Sequence, residues 1–263
     1  MPVQPRFAST VMLLRDVAYD DGIEVFMVRR VVQSKFMPDV YVFPGGSVVP
    51  DDRSLEEHSD LCSIVADSST DPEGRTRLGN GLRVAAIREL FEEANVLLAY
   101  QDRRILAVGA DAAPRFEAYR EGLNKRNALL SAIVQAEQLV LATDALTYFA
   151  HWITPEGLPK RFDTHFFLAV APSEQEALYD QLETSAGTWF KPAEAIERFQ
   201  RGEVPIAFPT FHQLRDLSAF KSVHEALATT STCYVLTHRP HLVQQEDGSY
   251  VYLPEDPDHT WLL

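Results

Sequence analysis

Cysteine is nearly absent: Cys62 and Cys233 are the only two in 263 residues, far apart and outside any Cys-x-x-Cys pair. That excludes a disulfide framework or a zinc-ribbon pattern and fits reduced thiols in a cytoplasmic setting. Basic residues are also scarce: 24 Lys and Arg stand against 38 Asp and Glu, for a formal net charge of −14. A surface of that sign repels nucleic acid and anionic membranes, because polyanion binding depends on clustered cations. A small anionic ligand is still allowed, since it needs only a local basic patch or a bound cation. Long apolar runs are missing as well. Residues 11–14 are apolar but stop at Arg15, which is not a secretory signal. No stretch approaches the roughly 20 apolar residues of a membrane span. The closing Trp261-Leu262-Leu263 is not a Ser-Lys-Leu type address. What is present, 46% hydrophobic and 24% charged residues, describes a globular chain with enough apolar material for a real core.

Strands are expected at residues 9–14 and 23–30, joined by the Asp20-Asp21-Gly22 turn. Residues 40–43 form a further apolar piece running into Pro44-Gly45-Gly46, where two glycines allow a sharp turn or a close approach of backbone to a ligand. Residues 50–81 are rich in Asp, Ser, Glu and Gly and read as a surface insertion with one short helix near 55–65. A helix is expected over 82–98, from Ile87, Leu90, Phe91 and Ala94 at buried-stripe spacing, and a long one over about 115–140. Strands follow at 145–153, 164–171 and 187–190, and then helices from Pro192 through 199 and over 210–227. The tail suggests a hairpin turning at Asp247-Gly248. The expected organisation is a main domain over 1–230, with an insertion at about 53–81 and an extra helical segment at about 115–140, and a C-terminal extension over 231–263. Helices and strands mix without regular βαβ alternation, which points to an α+β fold or a layered α/β/α sandwich with a mixed sheet.

The segment that carries chemistry is Arg88-Glu89-Leu90-Phe91-Glu92-Glu93. At about 100° per residue, Glu89, Glu92 and Glu93 share one side of the helix, opposite the apolar stripe. Like charges at this spacing weaken a helix by a few tenths of a kcal/mol per pair, roughly. A hard divalent cation offsets that repulsion, since magnesium prefers carboxylate oxygens. Arg88 is placed to pair with one of the glutamates and hold it. The plain alternative is a solvated acidic face. What favours a site is the company of the upstream Phe43-Pro44-Gly45-Gly46 turn.

Together these segments resemble the box of the Nudix family, Gly-x5-Glu-x7-Arg-Glu-U-x-Glu-Glu-x-Gly-U, where U is a bulky apolar residue. Gly46 matches the opening glycine, and Arg88, Glu89, Leu90, Glu92, Glu93 and Val96 match the second half in register. Three departures stand out: Asp52 replaces the early Glu, 35 residues (53–87) replace seven, and Asn95 replaces the late glycine. Asn tolerates the left-handed conformation, so the turn survives. Counted back without the gap, the early position falls on Asn80, also not Glu. The insertion resembles the branch of the family to which the peroxisomal coenzyme A diphosphatase belongs. So do Phe36-Met37-Pro38, Trp152-Ile153-Thr154-Pro155, Arg161 to Phe167, Thr188-Trp189-Phe190 and Phe208-Pro209-Thr210-Phe211. The resemblance runs from about residue 6 to 217.

It implies Mg2+-dependent hydrolysis (Mn2+ as a substitute) of a pyrophosphate bond in a nucleoside diphosphate derivative, with coenzyme A or acyl-coenzyme A favoured. Glu89, Glu92, Glu93 and a backbone carbonyl at Gly46 or its neighbour Gly45 are the implied metal ligands. Glu89, Arg88 and Glu93 are the catalytic set, and Glu89 or Glu183 is the base. For the substrate, Arg30 and Lys35 before the glycine turn and Arg161 before a strand are candidate phosphate holders, beside Arg29 and Lys160. Phe43 and Trp152 are candidates for stacking on a base, with core packing as the alternative. His238 and His241 lack metal-site spacing, while His151 and His165 read as satisfied strand residues and Asp163-Thr164 as a turn at the strand entrance. The rival functions are an ADP-ribose or dinucleotide pyrophosphatase, a nucleotide-sensing module without turnover, and an acidic interaction domain. The expected partner is a small nucleotide-like molecule, neither nucleic acid nor membrane, with a homodimer left open.

Overall fold

The computed structural model describes residues 3–18, 20–34, 37–58, 60–63 and 78–262. Strands β1 (Arg6–Asp16) and β2 (Ile23–Arg30) form an antiparallel pair, and two short strands, β3 (Tyr41–Val42) and β4 (Gly45–Ser47), follow. Helix α1 (Pro50–Glu56) precedes the long helix α2 (Leu82–Ala94). Next come β5 (Ala99–Gln101), β6 (Arg104–Ile105), α3 (Ala113–Asn124), α4 (Leu130–Ala136) and β7 (Val140–Leu141). The second half holds β8 (Thr147–Ile153), β9 (Phe162–Val170) and β10 (Thr184–Phe190), then α5 (Pro192–Gln200), α6 (Phe208–Leu217) and α7 (Val223–Thr232). The tail contributes β11 (Thr237–His238), β12 (His241–Gln245), β13 (Gly248–Leu253) and β14 (Asp256–Leu262).

One mixed sheet runs β10-β2-β1-β9-β8-β11, with β3 on β2 and β4 on β1. Side chains alternate along the strands, so Val11, Leu13, Phe26, Val28, Phe167 and Ala169 bury one face under α1 to α4. Met12, Leu14, Val25, Met27, Phe166 and Leu168 bury the other under α5, α6 and α7. The result is the α/β/α sandwich, with two small sheets, β6-β5-β7 and β12-β13-β14, at its periphery.

Two expected helices are each split. The 115–140 segment breaks between α3 and α4, where Arg126 adopts φ 57° and Gly122 O accepts the N–H groups of Asn127 and Ala128. The 210–227 segment breaks at Ser222, whose Oγ accepts the Glu225 N–H at 3.1 Å while Glu225 accepts the Lys221 N–H at 2.8 Å. Ser222 is thus the N-cap of α7, and Glu225 reaches one residue further back than a capping box would, to Lys221. Helix α2 stops at Ala94 because Asn95 takes the left-handed conformation, φ 61° and ψ 18°, with its N–H on Phe91 O. The stretch after Asp52 is not all surface either: α1 packs on α2, with Leu55 fully buried beside it.

Candidate active site

Helix α2 is buried on nearly every side, including Arg83, Arg88 and Glu93. Its glutamates therefore do not face bulk water. They face β4, which hydrogen-bonds to β1 through Ser9–Gly46 and Thr10–Gly45. A Cβ on Gly46 would collide with the Glu89 carboxylate, and one on Gly45 would collide with the β1 backbone at Ser9 and Thr10. Only glycine lets strand and helix approach so closely. Gly45 N–H donates to Glu93 Oε2 at 3.0 Å, and Glu93 is only 4% exposed.

Arg88 organises the rest. Its Nε and Nη2 donate to the two oxygens of Asp52 at 2.9 and 3.0 Å, and Nη2 also reaches Ser47 O at 2.9 Å. Nη1 donates to Glu89 Oε1 at 2.8 Å and to Glu92 Oε1 at 2.9 Å. These bonds use the five donors a guanidinium has. Asp52 in turn accepts the Val49 N–H at 2.9 Å, which starts α1. Asp52, not Asn80, thus takes the position across from Arg88.

The insertion leaves this geometry intact because its ends are clipped together. Glu56 accepts the N–H groups of Gly81, at 2.5 Å, and Arg83, at 3.2 Å, capping the start of α2 from the end of α1. Residues 64–77, between those ends, lie outside the described residues.

Charge here is unbalanced. Asp52, Glu89 and Glu92 share one guanidinium, and Glu93 adds a fourth carboxyl beside Glu89. Burial raises all four carboxyls above their ordinary values, Glu89 to about 7, even against the pull of Arg88 on the first three. For Glu93, raised well above the usual range, the charge of Glu89 adds to burial. Buried carboxylates with too little positive charge nearby, all presenting hard oxygen donors, suit a hard divalent cation. The residues present fit the metal that the motif implies.

Cations are found on the rim. The charge of Arg30 reaches Glu93, and the Arg30 side chain is held by Ser34 Oγ at 2.9–3.1 Å. Arg120 of α3 donates to Glu92 O at 2.9 Å and Leu178 O at 2.7 Å; burial pulls its guanidinium down, and its charge is felt by Glu93. Sequence reading had no handle on Arg120, which reaches the site from a separate helix. Glu183 stands exposed at the mouth, and its charge acts on both Glu92 and Glu93. Asp180 fixes that loop by accepting the N–H groups of Leu182, Glu183 and Thr184 at 2.9–3.2 Å.

Other expected site residues lie elsewhere. Phe43 is 2% exposed in the core on the opposite face of the sheet, so its ring is not offered to a ligand. Trp152 is buried in the same core, stacked on His238. Arg161 donates to Thr154 O at 3.0 Å and Val3 O at 2.8 Å, tying the N-terminal segment to the β8–β9 turn. Its role is to fasten chain, not to meet phosphate. Lys35 lies outside the described residues. Asp163, expected at a turn, stands within β9 and draws His151 and His165 to it.

Comparison with known proteins agrees with this geometry. The family described as NUDT19 Nudix domain matches residues 67–217. The chain is 30% identical to acyl-coenzyme A diphosphatase NUDT19 of Gallus gallus, over 90% of this chain and 74% of that one. With the protein of the same name from Xenopus laevis it shares 26% identity, over 90% and 73%. Among solved structures, the NUDIX hydrolase from Alicyclobacillus acidocaldarius superimposes with a TM-score of 0.71 at 29% identity, covering 88% of this chain and 99% of that one. With the split box closed by Glu56 and its carboxylates gathered on the glycine turn, this chain belongs to the Nudix hydrolase family, in its NUDT19 branch.

Proposed function

We propose that the chain hydrolyses the pyrophosphate linkage of coenzyme A and its acyl derivatives, with Mg2+ as the metal and Mn2+ as a substitute. The observation that carries this reading is the cluster of Glu89, Glu92 and Glu93 packed against Gly45-Gly46 with Arg88 as its central cation. The names of the relatives, acyl-coenzyme A diphosphatases, supply the substrate class.

A pyrophosphate linkage resists water because its anionic oxygens repel a nucleophile. Glu89, Glu92, Glu93 and the Gly46 backbone would hold the magnesium, which would supply charge neutralisation of the phosphate oxygens and a site for water. The protein groups supply the rest. Arg88 fixes the rotamers of Glu89 and Glu92 through one oxygen of each, which leaves the other oxygen for ligand. Gly45 N–H does the same for Glu93. Arg30 and Arg120 place positive charge where the substrate phosphates arrive. Glu183, at the mouth, accepts the proton of the attacking water on a carboxylate oxygen, with Glu89 as the alternative acceptor. The two thiols are free, which agrees with a reducing, cytoplasmic setting, and among the described residues no helix is long and apolar enough to cross a membrane.

The test is a hydrolysis screen in about 5 mM Mg2+, roughly where weak magnesium sites fill. Its panel is coenzyme A, acetyl-coenzyme A, ADP-ribose, NADH, a nucleotide sugar and a nucleoside triphosphate. Cleavage of coenzyme A to 4′-phosphopantetheine and 3′,5′-ADP, abolished by Glu93→Gln, is the expected result. Preference for ADP-ribose or NADH would replace the substrate, and binding without turnover would replace the enzyme with a sensor.

A further inference from the structure

On the α2-facing side of the same sheet, three side chains with no part in the reaction just described converge. In β9, Asp163 and His165 alternate with Phe167 and Ala169, so all four point to one face. The antiparallel register sets His151 of β8 directly opposite His165. Asp163 Oδ1 lies 2.5 Å from His151 Nε2 and 3.3 Å from His165 Nε2. The two imidazoles stack with centroids 4.2 Å apart. Among the described residues, this is the one convergent set of three His, Cys, Asp or Glu donors, with all three ligand atoms within 4.8 Å of one another.

The far side of each ring is also anchored. His165 Nδ1 lies 2.9 Å from the hydroxyl of buried Tyr148, and His151 Nδ1 lies 2.8 Å from Thr237 Oγ1, which β11 brings beside β8. Each Nε2 faces the carboxylate: with the ring proton on Nε2 it donates to Asp163, and with the proton on Nδ1, given to the hydroxyl, its lone pair is free for a cation shared with the carboxylate. Anchoring the outer nitrogen by a hydrogen bond is how a protein orients an imidazole ligand toward a metal. Bonds of about 2.0–2.2 Å from imidazole and carboxylate to zinc place tetrahedral donors roughly 3.4 Å apart, close to the 3.3 Å between Asp163 Oδ1 and His165 Nε2, while His151 Nε2, at 2.5 Å, must draw back from Asp163 to admit the ion.

We propose that His151 Nε2, His165 Nε2 and Asp163 Oδ1 form a second metal site, for a zinc-class divalent cation, separate from the magnesium carboxylates and with a fourth position open to water. Two imidazoles and one carboxylate select an imidazole-preferring transition metal over magnesium. The site lies in the same cross-sheet row as the glycine turn: Gly46 pairs with Ser9, Ser9 with His165, and His165 with His151. At about 4.8 Å per strand, two strands put His165 ~10 Å from Gly46. No ligand is shared between the sites, and the cation would pin β8 to β9 at the sheet end that carries β11.

The experiment uses the full chain with Glu89→Gln and Glu93→Gln, which disables the magnesium carboxylates, and measures zinc by equilibrium dialysis with elemental analysis. One zinc per chain is expected, with an X-ray absorption edge showing two imidazole ligands. Adding His151→Ala or His165→Ala should remove it. Asp163→Asn, which preserves shape and so guards against misfolding of the histidine variants, should weaken it at least tenfold. Tyr148→Phe, which removes only the outer anchor, should weaken binding about tenfold or more. Absence of zinc from the folded Glu89→Gln, Glu93→Gln chain would overturn the inference, as would zinc affinity unchanged by Asp163→Asn. Because the readout is binding, failure of the coenzyme A screen would leave this result standing.

Discussion

Strand β1 separates two clusters of polar groups that solve opposite charge problems. On its β4 side, three carboxylates share one guanidinium and a fourth, Glu93, is held by Gly45 N–H. On its β9 side, two imidazoles share one carboxylate and already converge. The first has excess negative charge and loosely arranged oxygen donors, which suits a cation that keeps several of its own waters and also meets substrate phosphates. The second has one carboxylate for two imidazoles, with nitrogen donors whose outer atoms are tied down, which suits a cation held by the protein itself. Two neighbouring patches of one sheet thus differ in the hardness and preorganisation of their donors more than in how many donors they have.

The largest effect that would break this contrast is on turnover. Glu93→Gln should lower kcat by on the order of a thousandfold, because it removes a carboxylate that would hold the magnesium. It should also raise the melting temperature in metal-free buffer, since a buried carboxylate is relieved. Steady-state kinetics check the first part and scanning calorimetry with and without Mg2+ the second: stabilisation by Mg2+ should vanish in this variant and persist in His165→Ala. If His165→Ala removes it instead, the division between hard and borderline sites is wrong.

Asp52→Ala comes next. It leaves Arg88 buried without its bidentate partner and should cost about 3–5 kcal/mol in urea denaturation. A loss under about 1 kcal/mol would show that Ser47 O and the glutamates suffice to hold the guanidinium. Gly46→Ala should cost less stability, about 1–3 kcal/mol, yet weaken Mg2+-dependent activity at least tenfold because its Cβ displaces the Glu89 carboxylate. Unchanged KM and kcat would mean that the strand and helix can separate freely.

The smallest effect concerns the thiols. Burial pushes Cys62 up to about 11, with the charges of Glu56 and Asp60 adding to it, while Cys233 is exposed. At pH 8, iodoacetamide should label one thiol per chain, and peptide mapping should find it at Cys233. Rapid labelling of Cys62 would show that the base of the insertion opens in solution.

Some of this was legible in the residues alone because it is local. The helix from Leu82, its glutamate spacing, the left-handed stop at Asn95 and the glycine turn depend on backbone propensity and on period, and the family resemblance rests on that same stretch. The Ser222 cap is equally local, since Ser222 and Glu225 lie within one helical turn. What the chain order could not convey is which distant groups meet. Asp52 reaches Arg88 across 35 intervening residues only because Glu56 caps α2 and so brings the end of α1 to the start of α2. Phe43 and Arg161 carry suitable side chains, but strand alternation turns the first into the far core, and the β8–β9 turn captures the second. His151 and His165 read singly as ordinary strand residues, and Asp163 as part of a turn. Their convergence follows from one strand register, and a shift by a single residue would send one imidazole to the opposite face. Sequence by itself determined the donor types and their local spacing, since these are set by chemistry and helical period. Tertiary structure alone decided which donors are buried together and which are matched by opposite charge, since burial and pairing depend on contacts between strands and helices far apart in the chain.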